Sequence, residues 1–176
     1  MTAFGLWQAG QGLYIPAKAW LAQQLMQNSW ERTVGGADKA VPWPWADTWP
    51  VALLRADDDV ELIVLAGASG RNLAFGPAHM SASALPGRTG NSVIAGHRDT
   101  HFEFLESLVI GDELEIEIPE GDRVSYRVTN IDIVDSRTSS IALDTEATTL
   151  SLVTCYPFDA IDAGSPLRYV VTAHGQ

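Results

Sequence analysis

The sequence predicts a mainly β domain, a closed barrel or a sandwich, preceded by a helical segment. After Val51, about seven or eight short apolar or alternating runs are separated by turn residues, and little of this region has helical periodicity. The first 33 residues instead place apolar side chains at helical spacing. The chain therefore divides into a helical segment (1–33), a connecting segment (34–50) and a β domain (51–176).

The composition is that of a folded, acidic protein. The chain has 176 residues, 46% of them hydrophobic, and a net charge of −11, which suits one domain with a full core. An acidic chain is a poor ligand for nucleic acid, because phosphate binding requires a basic surface. The single cysteine, Cys155, cannot form an internal disulfide. It is therefore either a packing residue or a reactive group.

The helical segment carries one apolar stripe with a period near 3.6 residues. Pro16 lies inside this pattern and predicts a kink or a fresh helical start. The chain has no run of 18 apolar residues, so no complete membrane span is predicted. Two interpretations stay open: an amphipathic helix packed on the domain, or the trailing end of a membrane anchor. The stripe is formed by Leu6, Trp7, Gly10, Leu13, Tyr14, Ala17, Trp20, Leu21 and Leu25.

The connecting segment begins with Gly35 and Gly36, which end the helix, and continues as VPWPWADTWP. Alternating proline and tryptophan cannot form a regular helix, so an extended segment over an apolar surface is expected. It either covers the exterior of the β domain or folds over the active site as a lid.

The first half of the β domain predicts a hairpin followed by irregular structure. The runs VALLRA and VELIVLAG flank a polar turn of three aspartates. The region from Gly67 to Gly90, rich in small residues, predicts a loop with a short helical turn over 78–84. A second helical turn is expected over 104–108.

The second half predicts four strands. DELEIEIP alternates acidic and aliphatic residues, which indicates a half-buried strand with a solvated acidic face rather than a carboxylate metal site. A long alternating strand begins near Arg123, and the polar loop RTSSIALDTEA follows it. The runs TLSLVTC and LRYVVTAH then close the domain.

Cys155 ends its strand, because a proline two residues later cannot continue the ladder. A thiol in this position is held by a rigid element yet remains open to a substrate. Arg168 follows 13 residues later. If the two strands are neighbours, its guanidinium faces the thiol and can stabilise an oxyanion, although it cannot act as a base. The alternative role for Arg168 is an ion pair with Asp159 or Asp162.

His97 is the histidine placed most like the cysteine, since it directly follows the apolar strand SVIAG. It is therefore a candidate proton donor and acceptor for the thiol. His97 and His101 have a spacing that suits a metal on a helix, but HRDTH does not read as a helix, so no metal site is predicted. Spacing assigns no third residue that would orient His97.

These motifs together resemble the sortases, cysteine transpeptidases built on an eight-stranded barrel. The resemblance rests on Val-Thr-Cys at 153–155, the arginine 13 residues later and Ala-Gly-His-Arg-Asp-Thr at 95–100. It extends over about residues 51–174. The stretch GPAHMSASALPGRTGNSVIAGHRDTHF is especially similar to class D and Gram-negative sortases, although Ala78 replaces the second glycine of their GPGH-like segment. The tryptophan-rich N-terminal region resembles that of a marine proteobacterial sortase.

The resemblance implies a closed eight-stranded β-barrel with short helices in its loops. It implies that Cys155 is the nucleophile, His97 the general acid and base, and Arg168 the group that holds the substrate and its oxyanion. It also implies substrate-binding roles for Thr154, Tyr156 and His79. The implied reaction is cleavage of an LPXTG-like C-terminal sorting signal through a thioester, followed by transfer to an amine nucleophile.

The implied partners are a surface or secreted protein with a sorting signal and an amine, with no nucleic acid. The implied location is the extracytoplasmic (periplasmic) face of a membrane, with an N-terminal anchor in the full-length protein. No cofactor is expected; some relatives depend on calcium, but the acidic strand offers no clear ligand set. Some relatives also carry a lid with an Asp-Pro-aromatic motif, and Asp47-Thr48-Trp49 here lacks the proline.

Two alternatives to a transpeptidase remain open from the sequence. One is a β-barrel binding module without catalysis, in which the thiol is a packing residue. The other is a cysteine hydrolase that performs no transfer. In either enzyme the loop from Tyr156 to Leu167 is expected to form a wall of the substrate groove.

Overall fold

A computed structural model describes residues 2–57, 59–160 and 164–176, with side chains described from residue 18 onward. Within these ranges the chain forms two α-helices, a 3₁₀ turn at Glu103–Glu106 and eight strands, so the mainly β prediction is confirmed. The helices are α1 (Thr2–Val34) and α2 (Gly70–Leu73), and the strands are β1 (Pro50–Ala56), β2 (Val60–Ala66), β3 (Ala78–His79), β4 (Gly90–Ala95), β5 (Glu113–Glu117), β6 (Arg123–Asp135), β7 (Thr148–Cys155) and β8 (Leu167–Gly175).

The eight strands close into a barrel in the order β1-β2-β3-β4-β7-β8-β6-β5, with β5 pairing back to β1. Most neighbours are antiparallel, and the predicted β1–β2 hairpin is confirmed. Two pairs, β2–β3 and β4–β7, are parallel. The carboxyl ends of β4 and β7 therefore lie at the same edge of the barrel, although about 60 residues of chain separate the two strands.

The barrel interior is filled by side chains that alternate inward along the strands. Most are aliphatic, and the two large aromatic rings of Phe102 and Tyr126 are fully buried among them. A smaller apolar cluster outside the barrel joins Met26 of α1 to Leu65 and Ala78. The barrel is thus a packed core rather than a cavity, and a substrate must bind on its outer surface.

The acidic face of β5 is neutralised rather than solvated, which corrects the prediction for this strand. Arg55 Nη1 lies 2.8 Å from Glu117 Oε2 and 3.1 Å from Glu115 Oε1. Arg123 Nε lies 3.2 Å from the same Glu117 carboxylate. The flanking strands supply both arginines, since Arg55 pairs in register with Glu115 and Arg123 with Glu117. Cross-strand partners, invisible in a single strand's pattern, set this surface.

Helix α1 is continuous through Pro16, so the predicted fresh helical start is wrong. The helix ends at Val34, and Gly36 turns the chain away from it with a φ of 91°, which glycine adopts far more readily than other residues. Among the described residues, no helix is both long and apolar enough to cross a bilayer.

The packed face of α1 differs from the predicted stripe. Trp20 and Leu21, which belong to that stripe, are 66% and 51% exposed. The helix contacts β1 and β2 through its C-terminal turns, so barrel contact rather than apolar periodicity decides which side chains are covered. The buried side chains in its described part are Met26, Ser29, Trp30 and Thr33.

The connecting segment lies on the barrel exterior. The Trp43 ring packs edge-on against Phe75 at 4.8 Å between centroids, and Thr48 Oγ1 donates to the Ala66 carbonyl oxygen at 2.8 Å. Trp45 remains exposed. These contacts favour the interpretation of this segment as a cover for the exterior.

The predicted helical turn over 78–84 is wrong. Ala78 and His79 instead form the short strand β3, which bridges β2 and β4. Two residues are too few to produce a readable alternation, and barrel closure imposes the extended conformation.

Candidate active site

Cys155 and Arg168 are direct neighbours across two antiparallel strands. Cys155 is the last residue of β7, and Arg168, the second residue of β8, is its partner in register. Both side chains are partly exposed. The prediction that the two strands are neighbours is therefore confirmed, and the thiol and the guanidinium meet at one barrel edge.

The Arg168 guanidinium is anchored by one of its nitrogens. Nη1 donates to the carbonyl oxygens of Ser165 and Leu167 at 2.7 and 2.8 Å. In the described parts of the chain, no acceptor bonds to Nε or Nη2, and Asp159 forms no ion pair with this arginine. The other predicted partner, Asp162, lies outside the described residues. The guanidinium is thus oriented by its own loop, with donors remaining for a bound group.

His97 lies at the same edge because β4 and β7 are parallel. Their register ends at Ala95 opposite Val153, and His97 and Cys155 each lie two residues further on. The Gly96 amide donates to the Val153 carbonyl oxygen at 3.1 Å, which continues the pairing past the end of β4. His97 is exposed. Topology therefore brings the three principal candidates together from separate parts of the chain.

Thr154 braces this edge from behind. Its side chain is 2% exposed, and its Oγ1 donates to the Gly96 carbonyl oxygen at 2.8 Å. Side chains alternate along a strand, so Thr154 faces away from the side that Cys155 occupies. The structure places it as a support for the residue before His97 and not on the exposed surface where a substrate would bind.

A tight turn fixes the backbone of His97. The Phe102 amide donates to the His97 carbonyl oxygen at 2.9 Å, and the Phe102 ring is fully buried directly against Gly96. A β-carbon at Gly96 would lie 2.7 Å from two atoms of that ring, closer than side chains tolerate. The glycine of the Ala-Gly-His motif is thus required for the ring to pack beneath the histidine.

Replacing Gly96 with alanine is expected to destabilise the fold by about 1–3 kcal/mol, since the buried ring must move. The matched control is Gly70→Ala, because Gly70 lies in helix α2 and a β-carbon added to it would meet nothing within 4 Å. That control should be neutral or slightly stabilising. Urea unfolding of both variants measures the difference, and equal stabilities would contradict the steric explanation.

Arg98 joins the two loops that border the site, a function that the sequence did not indicate. Its Nη2 donates at 2.6 Å to the Ala160 carbonyl oxygen, in the loop after Cys155. The signal was present, since Arg98 directly follows His97, but its partner lies 62 residues away and no local pattern identifies it.

His101 lies close enough to His97 to interact with it electrostatically. Burial lowers the pKa of His101, and the neighbouring His97 adds to this effect. Within the described residues, no three His, Cys, Asp or Glu side chains group together as metal ligands would.

A groove of about 930 Å³ runs along the outer faces of β7 and β8 and includes Arg168 at one end. Its floor contains Val153, so Cys155 continues the same face of β7 at the end beside Arg168. Its wall is the loop of residues 136–147, called the β6–β7 loop below. The predicted wall, the loop from Tyr156 to Leu167, contributes none of its described residues.

The position of the groove also bears on the connecting segment. No residue of 42–50 lines it, which leaves the lid interpretation without support. The polar loop RTSSIALDTEA, which the sequence shows only as a connection, forms the wall instead. It has no helical or strand periodicity, so its role follows only from where the barrel places it.

His79 is not part of this arrangement. It is 4% exposed, and its Nε2 donates to the Ala84 carbonyl oxygen at 2.8 Å and lies 3.0 Å from Ser83 Oγ. Burial lowers the pKa of His79, against the opposing effect of the hydrogen bond to Ala84. Its polar atoms hold the loop after β3, so the structure gives it an internal role rather than one at the groove surface.

Tyr156 lies beside the cysteine within an aromatic cluster. Its ring stacks on Tyr169 with centroids 6.1 Å apart and meets Phe158 edge-on at 6.3 Å. Burial raises the pKa of Tyr169. The cluster forms a rigid apolar border at the thiol end of the site.

The assembled groups fit acyl-transfer chemistry. A thiol can attack a carbonyl carbon, an imidazole can move a proton to and from the leaving and entering groups, and a guanidinium can stabilise the oxyanion. The open groove leading to these groups is shaped for an extended chain.

Comparison with known proteins gives one consistent result. The family model described as the Sortase domain matches residues 56–176. Sortase D of Bacillus subtilis (strain 168) is 35% identical over 114 residues, which is 64% of this chain and 57% of that protein. The chain thus spans less than two thirds of this relative.

Solved structures agree with that result. Sortase A from Corynebacterium diphtheriae has a TM-score of 0.66 at 28% identity, covering 75% of this chain and 63% of that one. The Clostridium perfringens Sortase D5 transpeptidase has a TM-score of 0.65 at 22% identity, covering 85% and 88%, and supports the fold alone.

Proposed function

Because this chain belongs to the sortase family, we propose that it is a cysteine transpeptidase that cleaves an LPXTG-like C-terminal sorting signal and transfers the protein to an amine. The observation that carries the proposal is the meeting of Cys155, Arg168 and His97 at one barrel edge, at the end of an open groove. A thiol that served only for packing would need neither neighbour.

The first half of the reaction forms a thioester. The Cys155 thiolate attacks the carbonyl carbon of the scissile peptide bond, and the negative charge that develops on the oxygen is held by the remaining donors of Arg168. The carbon–nitrogen bond then breaks, and His97 gives its proton to the leaving amine. The products are an acyl-enzyme thioester and the released C-terminal peptide.

The second half transfers the acyl group. Neutral His97 takes a proton from the entering amine as that amine attacks the thioester carbonyl carbon. Collapse of the intermediate expels the Cys155 thiolate and forms a new amide bond, which restores the protonation states of the resting enzyme. No cofactor takes part in either half.

The groove is suited to a sorting signal bound in extended form. From Arg168 to His174 it follows six residue steps of β8, about 20 Å at 3.3 Å per residue, which accommodates a pentapeptide. Tyr156, next to the nucleophile, lies where it can contact the residue at the scissile bond.

The proposal extends to class and location. Similarity to the Bacillus Sortase D supports a class D-like enzyme. A Gram-negative, marine proteobacterial origin rests on the sequence resemblance of the N-terminal region alone. The partners proposed are a surface or secreted protein and an amine acceptor, with the catalytic domain on the periplasmic face and an N-terminal membrane anchor in the full-length protein.

A transfer assay tests the proposal. The chain is incubated with LPXTG-type peptides and scrambled controls, with and without triglycine as the amine, and intact-mass spectrometry follows enzyme and products. A mass increase on Cys155 that hydroxylamine removes, together with a ligated product that increases with triglycine, is expected. Cleavage without ligation at saturating amine indicates a hydrolase, and peptide binding without an adduct indicates a binding module; either result overturns the proposal.

A further inference from the structure

Asn91 connects the floor of the groove to its wall. It lies at the start of β4, is 4% exposed, and belongs to the groove lining. Its Nδ2 donates to the Ala142 carbonyl oxygen at 2.9 Å, and its backbone amide donates to the Leu143 carbonyl oxygen at 2.9 Å. Both acceptors belong to the β6–β7 loop, so this one residue makes two bonds to the wall.

Ser151 of β7 completes the arrangement from the other side. Its Oγ donates to Asn91 Oδ1 at 3.0 Å, and it is 1% exposed. A carbonyl oxygen only accepts, so the amide nitrogen of Asn91 must face Ala142 and its oxygen must face Ser151. The orientation of the side chain is therefore dictated by its partners, and neither of its polar atoms is left for a substrate.

The β6–β7 loop depends on these bonds at its centre. Its two ends are held separately, by Ser136 donating to the Pro166 carbonyl oxygen at 2.9 Å through its amide and by Gly90 donating to the Ala147 carbonyl oxygen at 3.2 Å. Residues 140–143 form neither helix nor strand. Among the described residues, every hydrogen bond to 140–143 comes from Asn91.

We infer that Asn91, oriented by Ser151, is a positioning residue that fixes the centre of the β6–β7 loop and thereby sets the width and selectivity of the peptide groove. The inference rests on the proposed function for the identity of the ligand. It assigns no chemical step to Asn91, which acts on the peptide only through the loop. Loosening the loop should therefore weaken peptide binding and relax discrimination among peptides, with little effect on the steps at the thiol.

The decisive variant is Asn91→Asp. It preserves the shape of the side chain and an acceptor for Ser151, but it replaces the donor facing Ala142 with an acceptor, so two oxygens repel. Ser151→Ala is the milder variant, because it releases the orientation of Asn91 without introducing charge. The matched control is Asn72→Asp, since Asn72 is also 4% exposed and its Nδ2 donates to two loop carbonyls, those of Ala66 and Gly67, away from the groove.

Two measurements are made on each variant. In peptide turnover, Asn91→Asp should raise KM about tenfold, change kcat less than about twofold and narrow the ratio of kcat/KM between preferred and altered signal peptides. Ser151→Ala should shift KM in the same direction by a smaller factor, and Asn72→Asp should leave it unchanged. In ¹⁵N relaxation without peptide, residues 140–145 should gain fast motion in both groove variants only.

The outcomes separate this inference from the proposed function. Unchanged relaxation of residues 140–145 in both groove variants overturns the inference whether or not the chain turns over peptides. A fall in kcat at unchanged KM, or an equal effect of Asn72→Asp, also overturns it, because a general loss of stability would then explain the data. If Asn91→Asp does not fold, Ser151→Ala decides by the same criteria. A wild-type chain without turnover contradicts the proposed function and leaves the relaxation result to stand by itself.

Discussion

Cys155→Ala is expected to abolish acyl-enzyme formation and peptide transfer, with turnover reduced by about 10⁵-fold or more. The chain contains no other cysteine that could substitute as nucleophile. The thiol is only partly buried, so its removal should cost little stability, about 1 kcal/mol or less. Mass spectrometry of the enzyme–peptide mixture and urea unfolding measure the two effects. Transfer that survives in this variant would rule out the mechanism.

Thiol labelling gives an independent check on the same residue. A methanethiosulfonate reagent should label native Cys155 quickly and stop turnover in proportion, because the thiol is accessible at the end of β7. A binding module with a packing cysteine would behave differently, with slow labelling until the chain is denatured. Comparing native and denatured labelling rates on one sample distinguishes the two.

Arg168→Lys is expected to lower kcat by about 10²–10³-fold while the barrel stays folded. Arginine can donate to the carbonyl oxygens of Ser165 and Leu167 through Nη1 and still present two further nitrogens to the oxyanion. A lysine ammonium is a single point of charge and cannot satisfy both groups with the same geometry. Arg168→Ala should be at least as inactive, since it removes all donors.

The control for this substitution is Arg127→Lys. Arg127 is likewise a strand arginine with a carbonyl partner, Gly111, and it also pairs with Glu113 on the surface away from the thiol. Such exposed pairs contribute about 0–1 kcal/mol, so this variant should match the wild type in both stability and kcat. A comparable loss of kcat in both variants would mean that the effect at Arg168 is not specific to the site. Steady-state kinetics with one peptide compares them directly.

Much of the barrel follows from local pattern in the sequence. The runs after Val51 alternate clearly enough to locate seven of the strands, and proline two residues after Cys155 marks the end of β7. The eighth strand, β3, has only two residues and is extended because β2 and β4 pair with it. Tertiary pairing overrides local preference in so short a segment.

The candidate site could be predicted in part for the same reason. Cys155, Arg168 and His97 each lie at the end of a recognisable strand pattern, and these positions predict a common edge. The partners of Arg98 and Asn91 lie 62 and 51 residues away, so no local motif reveals either contact. Thr154 and His79 were expected to bind substrate from motif position alone, but burial and internal hydrogen bonds occupy them.

The parallel pairing of β4 and β7 has a consequence for how activity is acquired. The nucleophile and its proton carrier belong to segments that any chain break between residues 98 and 154 would separate, and neither segment alone contains a functional site. Turnover therefore reports completion of the long-range pairing, the slow kind of step in folding, rather than formation of local structure. Two fragments divided in the β6–β7 loop would thus be silent apart and measurable on reassembly.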